Sequence, residues 1–392
     1  MRILIYTSEF WPVIGGVQSV VVALARGLAG RSVGRDNIEV TLVTKRAADG
    51  FDDRALPFRV VRRPGLTELV RLLRGADLIH LAGPCLLPML FGWLLRKPVV
   101  VEHHGFQAAC PNGLLFYWPT QTVCPGHFME RRYQECLRCT AASSGWVKGL
   151  SMVLLTFPRR WLSRHAAANV GVSHRMFKRI VLPKGRIIYH GVSDMSARLQ
   201  FDASRQSGQP CFAYVGRFVA EKGLALLLEA AKLLKVRGRQ FRLKLIGDGP
   251  ARAGLQEMVE ALSLRDQVIF TGYLCGKALD EALWDVAVVV MPTLMEETAG
   301  LAVIEQMMCG RLVVVSDIGG LGEVVDGVGL KFATGDVEGL TACLERVIES
   351  PALVFEMGQR ARSRSLEFFR QERMIDDHVR LYRDLLSNWG RS

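Results

Sequence analysis

Apolar and polar positions along this chain follow two alternating rhythms. Short runs rich in Val, Ile and Leu predict strands at Arg2–Tyr6, Glu39–Val43, Phe58–Val61, Leu78–Leu81, Val99–Glu102, Asn169–Val172 and Arg186–Tyr189. Between them, Val17–Ala29, Thr67–Arg74 and His174–Val181 place apolar residues at helical spacing. Most of the strand runs are continuously apolar. That is how parallel strands covered on both faces read, and the helical stretches supply the crossovers such strands need.

From about Asp194 to Gln209 the rhythm breaks into polar, patternless residues, which predicts a linker at 196–209. It restarts with strands expected at Cys211–Val215, Phe241–Ile246, Gln267–Thr271, Val286–Met291 and Leu312–Ser316, separated by helices expected at Gly223–Val236, Arg252–Leu262 and Leu301–Met308. The expected fold class is α/β, with two doubly wound domains over 1–195 and 210–365 facing across a cleft. After residue 335 the pattern is only helical, at Asp336–Glu349, Ala352–Phe368 and Gln371–Ser387, with Pro351 at a helix start. The segment 366–392 is expected to form a C-terminal helix that crosses back to brace the first domain.

Composition narrows the class. The 392 residues are 49% hydrophobic and 22% charged, enough for about two full cores and unlike a disordered or fibrous chain. The net charge of +12 is uneven: residues 1–200 hold 27 Lys and Arg against 12 Asp and Glu, and the remainder 23 against 26. A basic first half suits an anionic partner, although a solvated basic face reads equally well. Nothing at the start resembles a secretory signal, so a cytoplasmic location is expected. The longest apolar stretches, Leu86–Leu95 and Gly149–Phe157, fall short of a membrane span. The protein is expected to sit at the inner face of a membrane rather than cross it.

Three strand exits carry candidate chemistry. After the strand at Val286–Met291, Gly300 and Leu301 open a helix whose free N–H groups suit a phosphate or diphosphate, with Glu297 before it and Glu305 within it. An ionised carboxylate accepts from a hydroxyl pair such as a ribose presents. Taken alone, the two glutamates read slightly better as a cap carboxylate and a surface residue. At VGRFVAEKG, Arg217 and Lys222 supply two cations, as a departing diphosphate requires. The IGDGP turn places Gly247 where backbone can approach a ligand closely, weak evidence by itself. In the first half, PVIGGVQS sets Gly15 and Gly16 at the start of the first helix, and VEHHG ends the fifth strand on His103 and His104, the cleft position of an open α/β sheet. A histidine bonded inside the core accounts for one of these more readily than for both.

The segments GGVQSVV, HHGFQAACP, VGRFVAEKG, LIGDGP, MPTLMEETAGLAVIEQMMCG and SDIGGLGEVVDG resemble, in order and rough spacing, those of family 4 retaining glycosyltransferases of the GT-B fold. The resemblance covers nearly the whole chain, and its most specific part is Glu297 and Glu305 combined with Arg217 and Lys222. It implies that Arg217 and Lys222 hold a nucleotide diphosphate with help from the amides near Gly300 and Leu301, that Glu305 takes the ribose, and that Glu297 takes the donor sugar hydroxyls. It also implies that Gly16 approaches the diphosphate and that His104 lines the reacting centre. Departures are Ala299 where an aromatic is usual, Gln306 where Ala is usual, and Leu312 in place of the common Pro.

Nine cysteines are present. Cys110, Cys124, Cys136 and Cys139 cluster, with one CxxC, as in a subset of the proteins the chain resembles. Four such thiols suit a structural Zn²⁺ in an insertion at about 105–145, and four inert buried thiols fit equally well. Catalysis itself is expected to need no cofactor. The expected reaction moves a sugar from a nucleotide-diphosphate donor to an acceptor hydroxyl with retention, the departing diphosphate assisting deprotonation.

The basic first half and Leu86–Leu95, followed by Arg96 and Lys97, point to a lipid-linked glycan acceptor in cell-surface polysaccharide synthesis, with peripheral contact to an anionic membrane. Four rival readings stand beside it. A dinucleotide oxidoreductase lacks its G-x-G-x-x-G after the first strand. Nucleic-acid binding wants aromatics interleaved with basic residues, which only FPRRW at 157–161 offers, so no nucleic-acid partner is expected. The nearest alternatives are a nucleotide-sugar epimerase of the same fold and a non-catalytic nucleotide-sugar binding protein.

Overall fold

The structure, a computed structural model, describes residues 1–12, 15–33, 36–194 and 209–389. All but the last residue of the expected linker at 196–209 lie outside the described residues. The chain divides into two compact units, one of residues 1–120, 124–191 and 371–392, the other of 121–123 and 192–370.

The first unit is built on a seven-stranded, all-parallel sheet. Its strands are β1 (Arg2–Thr7), β2 (Glu39–Thr44), β3 (Arg59–Arg62), β4 (Leu78–Ala82), β5 (Val99–His103), β6 (Ala168–Gly171) and β7 (Gly185–Ile187). They lie in the order β7-β6-β5-β4-β1-β2-β3. Connections run one way from β1 and the other way from β4, so the crevice of a doubly wound sheet opens at the C-terminal ends of those two strands. β5 is buried along its whole length, its apolar start and its polar end Glu102 and His103 alike. Helix Gln371–Asn388 counts with this unit. It lies so close to helix Gly16–Leu28 that a Cβ on Gly27 would come within 2.0 Å of Ile375 Cδ1, so only glycine fits there.

The second unit repeats the plan with six parallel strands: β8 (Cys211–Val215), β9 (Arg242–Ile246), β10 (Val268–Gly272), β11 (Val288–Met291), β12 (Leu312–Ser316) and β13 (Leu330–Phe332). Their order is β10-β9-β8-β11-β12-β13, which puts the switch between β8 and β11. Every residue of β11 and β12 is buried.

Boundaries shift from the expected ones by a residue or two, as helix and strand ends fray. The larger differences include four elements that the apolar pattern did not resolve. The edge strand β13 has only three residues, too few for a period to show. The apolar stretches at 86–95 and 149–157 are parts of the helices Leu86–Leu94 and Trp146–Arg164, the second preceded by helix Tyr133–Ser144.

Candidate active site

Four loops meet at the switch point of the second sheet. They leave β8, β9, β11 and β12, and main-chain contacts lock them together. Phe218 N donates to Asp248 O at 2.9 Å, and Gly216 N to Ile246 O at 3.0 Å. Leu294 N donates to Glu221 O at 2.9 Å, and Gly320 N to Glu297 O at 2.7 Å. Two glycines make the closeness possible. A Cβ on Gly223, at φ +69°, would stand 1.9 Å from Pro292 O, and one on Gly247, at φ +142°, 1.8 Å from Gly216 O. The backbone of Gly216 thus packs directly against Gly247 and joins the two loops.

This interlocked frame holds the expected donor-binding side chains. Arg217 is exposed and forms no ion pair among the described residues. Its loop is held from below by buried Tyr214, whose hydroxyl donates to Arg217 O at 2.9 Å. Burial pushes that phenol far above its ordinary value. Lys222 donates to Glu297 Oε1, 75 positions away, with both side chains mostly buried. The pair keeps the ammonium in place and leaves it further protons to donate. Gly300, at φ +73°, opens helix Leu301–Met308, which has no side-chain cap and no acidic residue in its first turn. The first amides are thus left to an anion. Glu305 is half-buried, and no side chain among the described residues bonds its carboxyl. Burial pushes it up to about 7.

The departure noted at Gln306 finds a reason next to this helix. Arg311 is buried, 1% exposed. It donates to Gln306 Oε1 at 3.0 Å, to Val286 O at 3.0 Å and to Leu283 O at 2.9 Å. Gln306 supplies an acceptor that Ala could not.

The two histidines of the first unit take different roles because adjacent positions leaving a strand point to different surroundings. His103 is in the core: its Nε2 lies 2.9 Å from Asn169 Oδ1, and burial lowers it to about 4. His104 lines a cavity of about 590 Å³ at the sheet's switch point, together with Thr7, Ser8, Lys45 and Gly83. Gly16 begins the helix beside it, after Gly15 at its N-cap in extended conformation.

Behind His104 lies a polar cluster that the linear sequence did not disclose. Glu102, 1% exposed, is its hub. His80 Nε2 donates to Glu102 Oε2 at 3.1 Å and accepts at Nδ1 from the Tyr382 hydroxyl at 2.9 Å. His378 donates from Nδ1 to Met374 O at 2.8 Å and turns Nε2 toward Glu102, 3.7 Å away. His104 Nε2 is likewise 3.7 Å from Glu102, and its Nδ1 lies 3.0 Å from His190 Nε2. Burial alone would push the Glu102 carboxyl up, but the imidazoles of His104, His378 and His80 hold it well below its ordinary value. Burial lowers His80 and His104, and it brings His190 down to about 3. His378 is raised, because the Glu102 carboxylate outweighs its burial. A glutamate ending the apolar run VVVE was the one sign in the sequence.

Cys110, Cys124, Cys136 and Cys139 are all buried and free of disulfides. Cys110 Sγ donates to Asn112 Oδ1 at 3.0 Å, and Asn112 Nδ2 donates to Cys139 Sγ at 3.2 Å. Burial, reinforced by the neighbouring sulfurs Cys110, Cys124 and Cys139, pushes the Cys136 thiol up to about 12. Among the described residues, the side-chain groups whose ligand atoms all gather within 4.8 Å are His80, Glu102 and His378, and Glu102, His104 and His190. The cysteine sulfurs are spread more widely.

Residues 196–364 match the family model described as group 1 glycosyl transferases. The 2-deoxystreptamine glucosyltransferase of Streptomyces kanamyceticus is 36% identical over 151 residues, 38% of this chain and 39% of its own length. The chain thus spans well under half of that relative. A glycogen synthase of Mycobacterium tuberculosis is 27% identical across 93% of this chain and 90% of its own. In three dimensions, Anabaena HepE in complex with UDP superposes with a TM-score of 0.75, covering 98% of this chain and 100% of that one at 16% identity. The fold is that of GT-B glycosyltransferase structures.

Proposed function

Proceeding from the group 1 glycosyl transferase match over residues 196–364, we propose that the protein is a retaining glycosyltransferase that moves a hexose from a nucleotide-diphosphate donor to an acceptor hydroxyl, the acceptor being a lipid-linked glycan of cell-surface polysaccharide synthesis. The observation that carries this reading is the locked frame of the second unit. It presents the free guanidinium of Arg217, the Glu297-held ammonium of Lys222, an uncapped helix start at Leu301 and an unpartnered carboxyl at Glu305. HepE has been solved with UDP and with UDP-glucose, which supports a nucleotide sugar as the ligand of this frame.

In this mechanism Arg217, Lys222 and the Leu301 amides face the diphosphate, where negative charge grows as the glycosidic bond breaks. Glu305 accepts from the ribose hydroxyls and Glu297 from hydroxyls of the transferred sugar. We assign His104, at the switch-point cavity of the first unit, to the transfer step. No enzyme nucleophile is invoked: the leaving diphosphate oxygen takes the acceptor proton on the face where the new bond forms, which retains the anomeric configuration.

The test is incubation with a panel of radiolabelled nucleotide sugars, with and without membrane lipid extract, followed by anomeric analysis of the product. Lipid-dependent transfer with retention is expected. Interconversion of the nucleotide sugar without an acceptor would make the protein an epimerase, and binding without turnover would make it a binding protein.

A further inference from the structure

Two helices of the first unit wear their apolar residues on the outside. Helix Trp146–Arg164 turns Gly149, Val153, Thr156, Leu162 and Ser163 inward. These are mostly small or polar residues: a Cβ on Gly149 would meet Ala141 N at 2.9 Å, and Thr156 bonds back to Met152 O at 2.8 Å. Its outer side carries Trp146, Val147, Leu150, Leu154 and Trp161, with Val147 88% and Trp146 67% exposed. Helix Leu86–Leu94 does the same. It buries Pro88, Met89 and Gly92 and exposes Leu87, Leu90 and Leu94, which share one helical face. The two helices touch through Trp93 and Trp161, ring centroids 5.4 Å apart, and through Ser163 on Met89, so their outer faces join into one patch.

A helix in water presents the opposite pattern, with its apolar stripe toward the core. A joined apolar patch of this kind marks a contact with another phase or another molecule. Charge decides between them. From Cys136 to Ser193 the chain has ten Lys and Arg and no Asp or Glu, and from Leu78 to Val101 there is again no acidic residue. Arg96, Lys148 and Arg164 stand exposed on these two helices and their ends. Three tryptophans in the patch or at its edge, Trp93, Trp146 and Trp161, have the amphipathic ring that settles at a membrane interface. Beside the patch a cavity of about 550 Å³ has Trp93, Arg96, His165 and Trp389 on its walls, chemistry suited to a lipid phosphate. No helix among the described residues is long and apolar enough to cross a membrane, so these helices lie along the surface.

We infer that helices Leu86–Leu94 and Trp146–Arg164 form a docking face for an anionic phospholipid bilayer. Their leucines and tryptophans enter the interface, and the bordering cations meet lipid phosphates. The inference deepens the proposed reading by naming the surface at which a lipid-linked acceptor is met, yet its test uses no sugar donor.

Full-length protein is floated with vesicles of phosphatidylcholine alone or mixed with phosphatidylglycerol. Binding to the anionic vesicles is expected to exceed that to neutral ones by about tenfold or more and to fall as salt is raised. The double variant L150E/L154E, altered only at exposed positions, should melt like the parent and bind anionic vesicles at least about tenfold less. Equal binding to both vesicles, or unchanged binding by the variant, would overturn the inference. So would a dimer in vesicle-free solution that L150E/L154E dissolves, which would make a second copy of the chain the occupant. Because vesicle binding is read without turnover, failure of the transferase assay leaves this result interpretable.

Discussion

Glu305 shows what one residue's surroundings can do. With its carboxyl pushed up to about 7 by burial, it exists in both forms near neutral pH, and only the ionised form accepts from a ribose hydroxyl pair. Donor binding below that value must first drive off a proton, so affinity is expected to rise between about pH 6 and about pH 8, by up to roughly tenfold per pH unit below the pKa. Calorimetry with UDP across that range checks it, with E305Q expected to bind more weakly and to lose the component of the pH slope centred near 7. His104 makes a different prediction. If His104 acts in the transfer step as proposed, H104A should lower turnover far more than donor affinity, and equal losses in both would return it to a structural role. Arg217 and Lys222 could be singled out from a local motif, and Glu297 and Glu305 only in combination with them. The Lys222–Glu297 bond could not, because it joins positions 75 apart and depends on how two loops meet.

At the scale of the element, helix Leu301–Met308 and strand β12 share the buried Arg311. Replacing Gln306 by Ala would leave a guanidinium N–H unpaired in the core, and Q306A is expected to destabilise the protein by about 1–3 kcal/mol. A lowered melting temperature, with UDP affinity preserved once the protein is folded, would confirm a packing role. The cysteine-bearing segment carries another test. We propose that Cys110, Cys124, Cys136 and Cys139 close on one zinc ion. The thiols of Cys110, Cys136 and Cys139, which burial above all keeps protonated without metal, would then be deprotonated by the cation. Elemental analysis of protein purified without added metal should find about one zinc per chain. Chelation should speed hydrogen exchange over residues 105–145 while leaving the second unit unchanged. Four freely titrating thiols with substoichiometric zinc would identify the cluster as packed hydrophobes.

At the scale of the molecule, the buried histidines set a pH limit on stability. His103 at about 4 and His190 at about 3 are both below the value near 6.5 that they would take unfolded. Between those limits the unfolded chain binds protons that the folded one refuses, so stability falls as pH drops below about 6.5. His378, raised by Glu102, works in the opposite sense: its contribution is present below about 6.5 and is lost as pH rises through its folded value. Two lowered groups with printed values, joined by His80 and His104, outweigh one raised group. The melting temperature is therefore expected to fall steadily from about pH 6.5 to about pH 4.5, and H103Q, which keeps a donor for Asn169, should flatten part of that decline. A melting temperature independent of pH over the range would contradict the arrangement around Glu102.

Periodicity is a local property, and the sequence by itself determined what is local: strands where β-branched runs stay apolar, helices such as Leu301–Met308 where the spacing is helical, and the doubly wound class that follows from their alternation. Residue types at strand exits likewise marked Arg217, Lys222, Gly300 and His104, because such positions face a crevice in any open parallel sheet. Tertiary structure alone decided what depends on distant neighbours. It packed Gly247 against the backbone of Gly216, separated His103 from His104, gathered His80, Glu102, His378 and Tyr382 from three elements, and revealed that Trp146–Arg164 exposes most of its large apolar residues. The reason is physical: an apolar side chain carries the same periodic signal whether it faces a core or a bilayer, and a buried carboxylate is tolerable only where chain segments far apart in sequence bring it partners.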